Sequence, residues 1–398
     1  MNPQGSPSRP MARPAPGLVA GRSPAPTMPL DASASASASA SASASASASP
    51  HVRLVTWDDH PAIGGQGVYV DELRRHLAVQ GIQVSTVAGR GSAAVSYHAV
   101  TGRGHLDLSL QLAWQPGLLR EGNPDVLHVS AGPGGIALLR RCDRPVVVTA
   151  HHTHRQSPGW QTVRAVAGAI EAVGYRRAAR VAAVSPSTAA AVVAMGVSAE
   201  QVEVIPPGVR LRTPPRRVER HPLRMAFVGR LEPAKGPLDA VAAMTAVAEL
   251  VPGAHGVVVG NGSQSAAVVR AAREGGGHVT VVGRLEDDEL AVELARAAVV
   301  LVPSSFEGLG MVALEAMAAG AAVVGYDVDG LHDTVGRYGI VVPAGSVKAL
   351  GDAVRSLLGD VDGAASMARA AAPAVRAEWS WEHCAERFAA MYREVTRC

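Results

Sequence analysis

Glu307 and Glu315 lie eight residues apart in FEGLGMVALEAMAAG, with Gly308 and Gly310 just after the first and an apolar helical pattern around the second. A helix rises about 1.5 Å per residue, so the second carboxylate stands roughly 12 Å beyond the first. Two acids so placed cannot act as one acid–base couple. They can accept hydrogen bonds from hydroxyls at two ends of one extended ligand. Arg230 and Lys235 share another loop, GRLEPAKG. A guanidinium supplies paired donors and an ammonium a point charge, which together can clamp a diphosphate. Only Lys235 and Lys348 are lysines among 37 basic residues, so a lysine inside a motif stands out. A ligand with hydroxyls at both ends and a diphosphate between them is a nucleotide sugar.

Such groups need rigid turns to hold them, and each informative loop follows an apolar, β-branched run. Gly64, Gly65 and Gly67 follow HVRLVTW; Gly229 follows LRMAFV; Gly260, Asn261 and Gly262 follow GVVV. Arg284 and Leu285 follow VTVV, and Gly308, Leu309 and Gly310 follow VVLVPS. Glycine lets backbone N–H groups approach a phosphate, and the helix that comes next adds positive potential. One glycine turn carries little weight, because any strand-to-helix turn can use glycine; several on matching edges carry much more.

The runs alternate with helical patterns. HVRLVTW leads to a helix over 68–81, then the strand QVSTVAG; DVLHVSAG and PVVVTAHH read as parallel strands buried on both faces. RVAAVSPSTAAAVVAMG gives strand, helix and glycine stop. After a Pro/Arg-rich joint at 211–222 the pattern restarts, with helices expected at 237–251, 263–274, 286–297 and 310–319. Strand–helix alternation, twice over, predicts an α/β chain of two doubly wound parallel sheets facing a cleft, with ligands beyond the carboxyl ends of the strands. The expected layout is a Pro/Ala/Ser-rich tail at 1–50 without the apolar side chains needed for order, an acceptor-binding domain at 51–220, a nucleotide-sugar domain at 221–375 and a crossing helix at 376–398.

Composition narrows the function classes. The 398 residues suit two domains, and a net charge of +3 predicts no nucleic-acid partner. Cys142, Cys384 and Cys398 are widely spaced, which argues against a disulfide framework or a zinc site and suits the cytosol. No run is long and apolar enough to span a membrane, and the N-terminus lacks the apolar core of a secretory signal. GGQGVY does not fit the dinucleotide fingerprint G-x-G-x-x-G, which argues against an oxidoreductase. The run DVD at 327–329 imitates a metal-binding D-x-D but follows a late strand, and reads as loop chemistry; EDDE at 286–289 reads as acids favourably placed at a helix start.

The segments FVGRLEPAKG, VVGNGS, PSSFEGLGMVALEAMAAGAAVV and GGQGVYV resemble the retaining glycosyltransferases of family 4, of GT-B fold, from about residue 51 to the end. The combination of E-x7-E with G-R-x4-K is what makes the resemblance specific. It implies two Rossmann-like domains with a final helix crossing back to the first. It implies that Glu307 faces the donor sugar hydroxyls, that Glu315 holds the nucleotide ribose, and that Arg230 and Lys235 stabilise the leaving diphosphate. Gly308, Leu309 and Gly310 match the backbone cradle, and Gly64, Gly65 and Gly67 the loop closing on the donor. His151, with His152 the runner-up, matches a histidine near the anomeric centre. The implied cofactor set is empty, with no obligatory metal, and the implied partner is a nucleotide-sugar donor linked to UDP or GDP.

The chain departs from the family at Asp329-Gly330-Leu331-His332-Asp333, where relatives often read G-G-x-P-E, and at His128-Val129-Ser130, where many read H-x-H. The acceptor is expected on the first domain, where 89–124 is poorly periodic. A membrane-bound acceptor would call on GYRRAARV (174–181) with Arg74 and Arg75, but a few scattered arginines fall short of a polybasic patch. An epimerase or a non-catalytic nucleotide-sugar-binding protein could share the fold. Against a dead relative, Arg230, Lys235, Glu307 and His151 are all present.

Overall fold

The computed structural model describes residues 49–59, 65–94, 104–115, 117–130, 143–154, 161–215 and 217–397. The tail at 1–48, Gly64, Cys142 and Cys398 therefore lie outside the described residues. From Ala48 onward the chain forms one compact unit.

The first six strands are β1 (His51–Asp58), β2 (Gln83–Arg90), β3 (Val126–Ser130), β4 (Val146–Ala150), β5 (Arg180–Ala183) and β6 (Val202–Val204). They form one parallel sheet in the order β2-β1-β3-β4-β5-β6. The next six are β7 (His221–Val228), β8 (His255–Val259), β9 (Val279–Gly283), β10 (Ala297–Val302), β11 (Ala322–Tyr326) and β12 (Ile340–Val342). These form a second parallel sheet, β12-β11-β10-β7-β8-β9. Strand order reverses direction between β1 and β3 in one sheet and between β7 and β10 in the other. Such switch points splay the following loops apart and open a crevice. The loops after β7 and β10 carry Arg230, Lys235, Glu307 and the glycine cradle.

The helices that cover the first sheet are α1 (Gly65–Val79), α2 (Gly104–Trp114), α3 (Gly117–Arg120), α4 (Gln161–Arg177) and α5 (Pro186–Val193). Those of the second part are α6 (Pro237–Leu250), α7 (Ser265–Glu274), α8 (Asp287–Arg296), α9 (Met311–Ala318), α10 (Asp329–Tyr338), α11 (Val347–Gly359) and α12 (Val361–Glu378), with α13 (Trp381–Val395) last. Gly81, at φ +75°, ends the turn after α1 where the sequence placed a stop. α2 falls inside the segment expected to be irregular. Its leucines recur every second residue, a strand-like alternation, yet the helix buries Leu108 and Leu112 together and leaves Leu110 exposed.

The crossing helix begins later than expected. Residues 376–378 are the last turn of α12, and α13 starts at Trp381, where the Ser380 hydroxyl accepts from the His383 N–H at 3.2 Å. α13 packs on α1, burying Trp381, Phe388 and Tyr392 in a cluster with Val52, Leu54, Val70 and Leu73 of the first half. The Tyr392 hydroxyl meets His128 Nδ1 at 2.6 Å, and His128 Nε2 meets Thr149 Oγ1 at 2.7 Å. The chain thus crosses between its two sheets twice, through 205–220 and through α12–α13. The crossings touch where the Val209 N–H donates to Trp379 O at 2.7 Å.

Most of the arginines weighed for a membrane patch are paired with partners within the chain. Arg75 pairs with Glu72 at 3.0 Å, Arg74 with Asp71 at 3.0 Å, and Arg180 with Glu394 at 3.0 Å, while Arg176 donates to Met195 O at 2.9 Å. GYRRAARV is moreover not one helix, since α4 ends at Arg177 and β5 begins at Arg180. Among the described residues, no helix is long and apolar enough to cross a membrane.

Candidate functional site

Lys235 closes a short 3-10 turn, Pro233–Lys235, that Gly236 ends in the left-handed region at φ +65°. A Cβ on Gly236 would stand 2.1 Å from Pro303 O, so the loop after β7 presses directly on the loop after β10. The Ser305 N–H donates to Ala234 O at 2.9 Å and fixes that contact. The result brings two residues separated by 72 positions together: Lys235 Nζ lies 2.5 Å from Glu307 Oε1. The Ser304 hydroxyl donates to the same oxygen at 3.0 Å.

The cradle is held from below by α10. The Gly330 N–H donates to Glu307 O at 3.2 Å, and the Thr334 hydroxyl donates to Leu309 O at 3.0 Å. Gly310 adopts φ +86° and starts α9. Leu309 turns its side chain into the core beside Leu331, so any role it has in the cradle falls to its backbone. The family departure at 329–333 therefore forms the first turn of a helix. Its last residue, Asp333, reaches the first half and accepts from the Ser187 N–H at 2.9 Å.

The first half supplies the opposite wall. A Cβ on Gly308 would lie 1.9 Å from His151 O, which puts the end of β4 in backbone contact with the cradle. His151 Nε2 meets Ser130 Oγ at 3.0 Å, and Tyr69 stands edge-on to its ring at 4.7 Å. Gln66, between Gly65 and Gly67 in α1, donates to Ser130 O. The His152 ring packs edge-on against Phe306 at 5.2 Å. Burial, followed by the neighbouring His152, pushes His151 down to about 3, so at neutral pH it is a neutral dipole and not a cation. Burial likewise lowers His152, with Lys235 adding to the effect and Glu307 opposing it.

His128 is fully buried, and burial followed by the charge of His151 lowers it to about 3. Its folded value lies below the ordinary imidazole range near 6.5, so the unfolded chain binds the extra proton first on acidification. The stability that neutral His128 contributes is complete above about pH 6.5 and is lost progressively as pH falls from there towards 3. Thermal denaturation followed from pH 8 to 4 should show a Tm that is flat above pH 7 and falls below it. His128→Gln should lessen the fall, with His151 and His152 accounting for what remains.

Other predicted residues serve to lock turns together. A Cβ on Gly260 would stand 1.8 Å from Gly229 O, and one on Gly262 would stand 2.5 Å from Leu231 O. The Leu231 N–H donates to Asn261 O at 2.9 Å, and the Gly260 N–H donates to Gly283 O at 2.7 Å. These glycines are explained by close packing of the loops after β7, β8 and β9, whatever else they do. Arg230 and Arg284 are exposed and, among the described residues, neither side chain makes a hydrogen bond or ion pair, although the Arg230 carbonyl accepts from the Glu232 N–H at 2.9 Å; Leu285 is half-buried. The acids at 286–289 lie at the start of α8 as expected, with Glu289 accepting from the Glu286 N–H at 3.2 Å. Asp327 of the D-x-D imitation pairs with His332 at 2.8 Å. Among the described residues no cluster of three or more His, Cys, Asp or Glu is arranged to hold a metal.

Glu315 is not at the Lys235–Glu307 centre. Its side chain is 11% exposed, within α9, with Oε2 2.6 Å from Arg212 Nη1. Sequence reasoning missed Arg212, because the joint that carries it has no periodicity. Its one signal was a run of arginines facing the acid-rich start of α8. Ser304 and Gln66 were also missed, since nothing local marks them, and Ser130 entered only as a departure from H-x-H.

Comparison with known proteins finds matches along both halves of the chain. Residues 63–213 match the family described as Glycosyltransferase Family 4, and residues 215–373 match Glycosyl transferases group 1. A glycogen synthase of Mycobacterium tuberculosis is 32% identical over 296 residues, covering 70% of each chain. A GDP-mannose-dependent alpha-(1-6)-phosphatidylinositol monomannoside mannosyltransferase of the same organism is 32% identical over 263 residues, 61% of this chain and 68% of that one. The crystal structure of Anabaena Alr3699/HepE in complex with UDP-glucose superposes with a TM-score of 0.65 at 18% identity, covering 87% of this chain and 100% of that one.

Proposed function

Because this chain belongs to the family 4 glycosyltransferases of GT-B fold, we propose that it moves a sugar from a nucleoside diphosphate donor to an acceptor hydroxyl, in the cytosol and with retention of configuration. The observation that carries the reading is the Lys235–Glu307 pair at the switch point of the second sheet, facing His151 across the Gly308 contact. Relatives named for GDP-mannose, or crystallised with UDP-glucose, favour a nucleotide-sugar donor.

In the reaction the bond from the anomeric carbon to the donor phosphate breaks and a bond to the acceptor oxygen forms on the same face. The acceptor proton passes to an oxygen of the departing diphosphate. Lys235 and the exposed Arg230 stabilise the charge that grows on that group, aided by the backbone N–H groups at the start of α9. Charge stabilisation by these groups makes no demand for a metal. Glu307 has one oxygen tied to Lys235 and Ser304, which leaves the other for sugar hydroxyls. Neutral His151 orients the donor or acceptor as a hydrogen-bonding dipole.

The test is a panel of UDP-, GDP- and ADP-sugars, scored first by thermal shift and then for transfer to polyol, glycan and lipid acceptors. Selective stabilisation by one donor, with an axial or equatorial product matching that donor by NMR, supports the proposal. Inverted product would overturn retention. Conversion of the donor without any acceptor would favour an epimerase, and binding without turnover a non-catalytic protein.

A further inference from the structure

Residues 210–212, in the connection between the two sheets, thread a chain of charges between helices of both halves. Arg210 Nε lies 3.5 Å from Glu72 Oε1 of α1, and its Nη2 lies 2.9 Å from Asp287 Oδ2 at the start of α8. Arg212 Nε lies 3.4 Å from Asp287 Oδ1, and Arg212 Nη1 lies 2.6 Å from Glu315 Oε2 of α9. The last contact is off the line of a good hydrogen bond and is best described as an ion pair. Both side chains are close to buried, at 13% and 11% exposure. Among the described residues the Glu315 carboxylate has no second direct partner. Both groups line a cavity of about 430 Å³.

A carboxylate so enclosed is costly unless a cation accompanies it. Burial raises Glu315 above the usual carboxyl range, and Arg212 and then Arg210 oppose the rise while Asp287 adds to it. Two more arginines face this end of α9 but are committed elsewhere. Arg376 of α12 donates to Ala318 O, and Arg220 donates to Ala319 O. Arg212, 2.6 Å away, is thus the main cation that opposes that rise.

We propose that Arg212 is a positioning residue for the donor: it holds one oxygen of Glu315 so that the other accepts from the hydroxyls of the bound nucleotide, and through Arg210 it ties that grip to α1 across the connection between the sheets. This rests on the donor reading given above. It assigns to the connection a share of donor affinity, where an ordinary linker would have none.

The experiment is calorimetric binding of UDP, GDP and ADP to the full chain from pH 5.5 to 8.5, with Arg212→Ala, Arg212→Lys, Glu315→Gln and the double variant Arg212→Ala/Glu315→Gln. Arg212→Ala should weaken the preferred nucleotide about 10- to 100-fold, in the range for a lost charged partner. The loss should deepen as pH falls, because without Arg212 the buried carboxyl takes up a proton more readily and can no longer accept from both hydroxyls. Arg212→Lys should recover most of the affinity and also serves if the alanine variant fails to fold. In the Glu315→Gln background, removing Arg212 should cost little more. If Glu315→Gln weakens binding while neither Arg212 variant does, the inference is overturned and the donor reading stands. A loss in Arg212→Ala that does not change with pH would mean a purely structural role and would also overturn it. If none of the three nucleotides binds the unaltered chain, the donor reading falls and this inference with it.

Discussion

Lys235→Ala should lower kcat with the preferred donor by about 10²- to 10³-fold, the scale seen when one preorganised donor to a developing negative charge is removed. Two contributions combine. The diphosphate loses a cation at the switch point of the second sheet, where the loops after β7 and β10 meet. Glu307, only 15% exposed, loses the partner that stands 2.5 Å from its Oε1 and holds it in place. Lys235→Arg should rescue poorly. The ammonium is a compact point charge on a turn braced by Gly236 and Pro303, and a planar guanidinium needs a wider approach. The measurement is steady-state kinetics at saturating donor, with binding of the nucleoside diphosphate measured separately. An alanine variant retaining more than a third of kcat would show that the Lys235–Glu307 pair is structural and would remove the central support for the proposed chemistry.

Gly308→Ala should be equally severe for a different reason. The added methyl carbon would sit 1.9 Å from His151 O and 3.1 Å from its carbonyl carbon, and backbone atoms have no side-chain freedom with which to yield. The cradle must back away from β4, and displacements near 1 Å at reacting groups cost on the order of 10²-fold in rate. Overpacking of this kind also destabilises by about 1–3 kcal/mol. Gly336→Ala is the internal control. It lies in α10 with nothing within 4 Å of its Cβ position, and alanine there should be neutral or stabilising by up to about 1 kcal/mol. Comparing kcat and Tm for the two variants separates a general glycine effect from this one contact. Equal behaviour would mean that the His151–Gly308 approach does not govern the active geometry.

Sequence patterns revealed the strands well because parallel strands buried on both faces must be continuous β-branched runs. Val146–Ala150 shows this plainly, with all five residues buried. The pairing of Lys235 with Glu307 could be anticipated only as two loops on matching strand ends, since 72 residues separate them and the sheet order decides that they meet. Several glycines singled out for a phosphate prove to have a packing reason of their own, as at Gly260 against Gly229 O. A sequence cannot distinguish the two demands, because both require a missing Cβ. The expected boundary at 375/376 falls inside the last turns of α12, which runs on to Glu378 with Pro373 within it. Arg212 was hidden because an irregular connection has no period, so nothing in it marks which arginine will find a buried acid. His128 and Ser130 likewise appeared only as departures from a motif, until the fold placed Tyr392 and His151 beside them.

The seating of α13 against the first sheet has a consequence for how the molecule comes to exist. A ribosome that has just completed β6 has released a half whose cluster around Leu54, Val70 and Leu73 still lacks Trp381, Phe388 and Tyr392. Domains ordinarily fold as units in the order of their synthesis. Here the first to emerge must wait, with an apolar flank and the fully buried His128 ring uncovered, until nearly the whole second half has been translated. The last helix is therefore a completion signal. A chain stopped just short of Trp381 leaves both halves made and the first one open, a species suited to capture by chaperones or proteases.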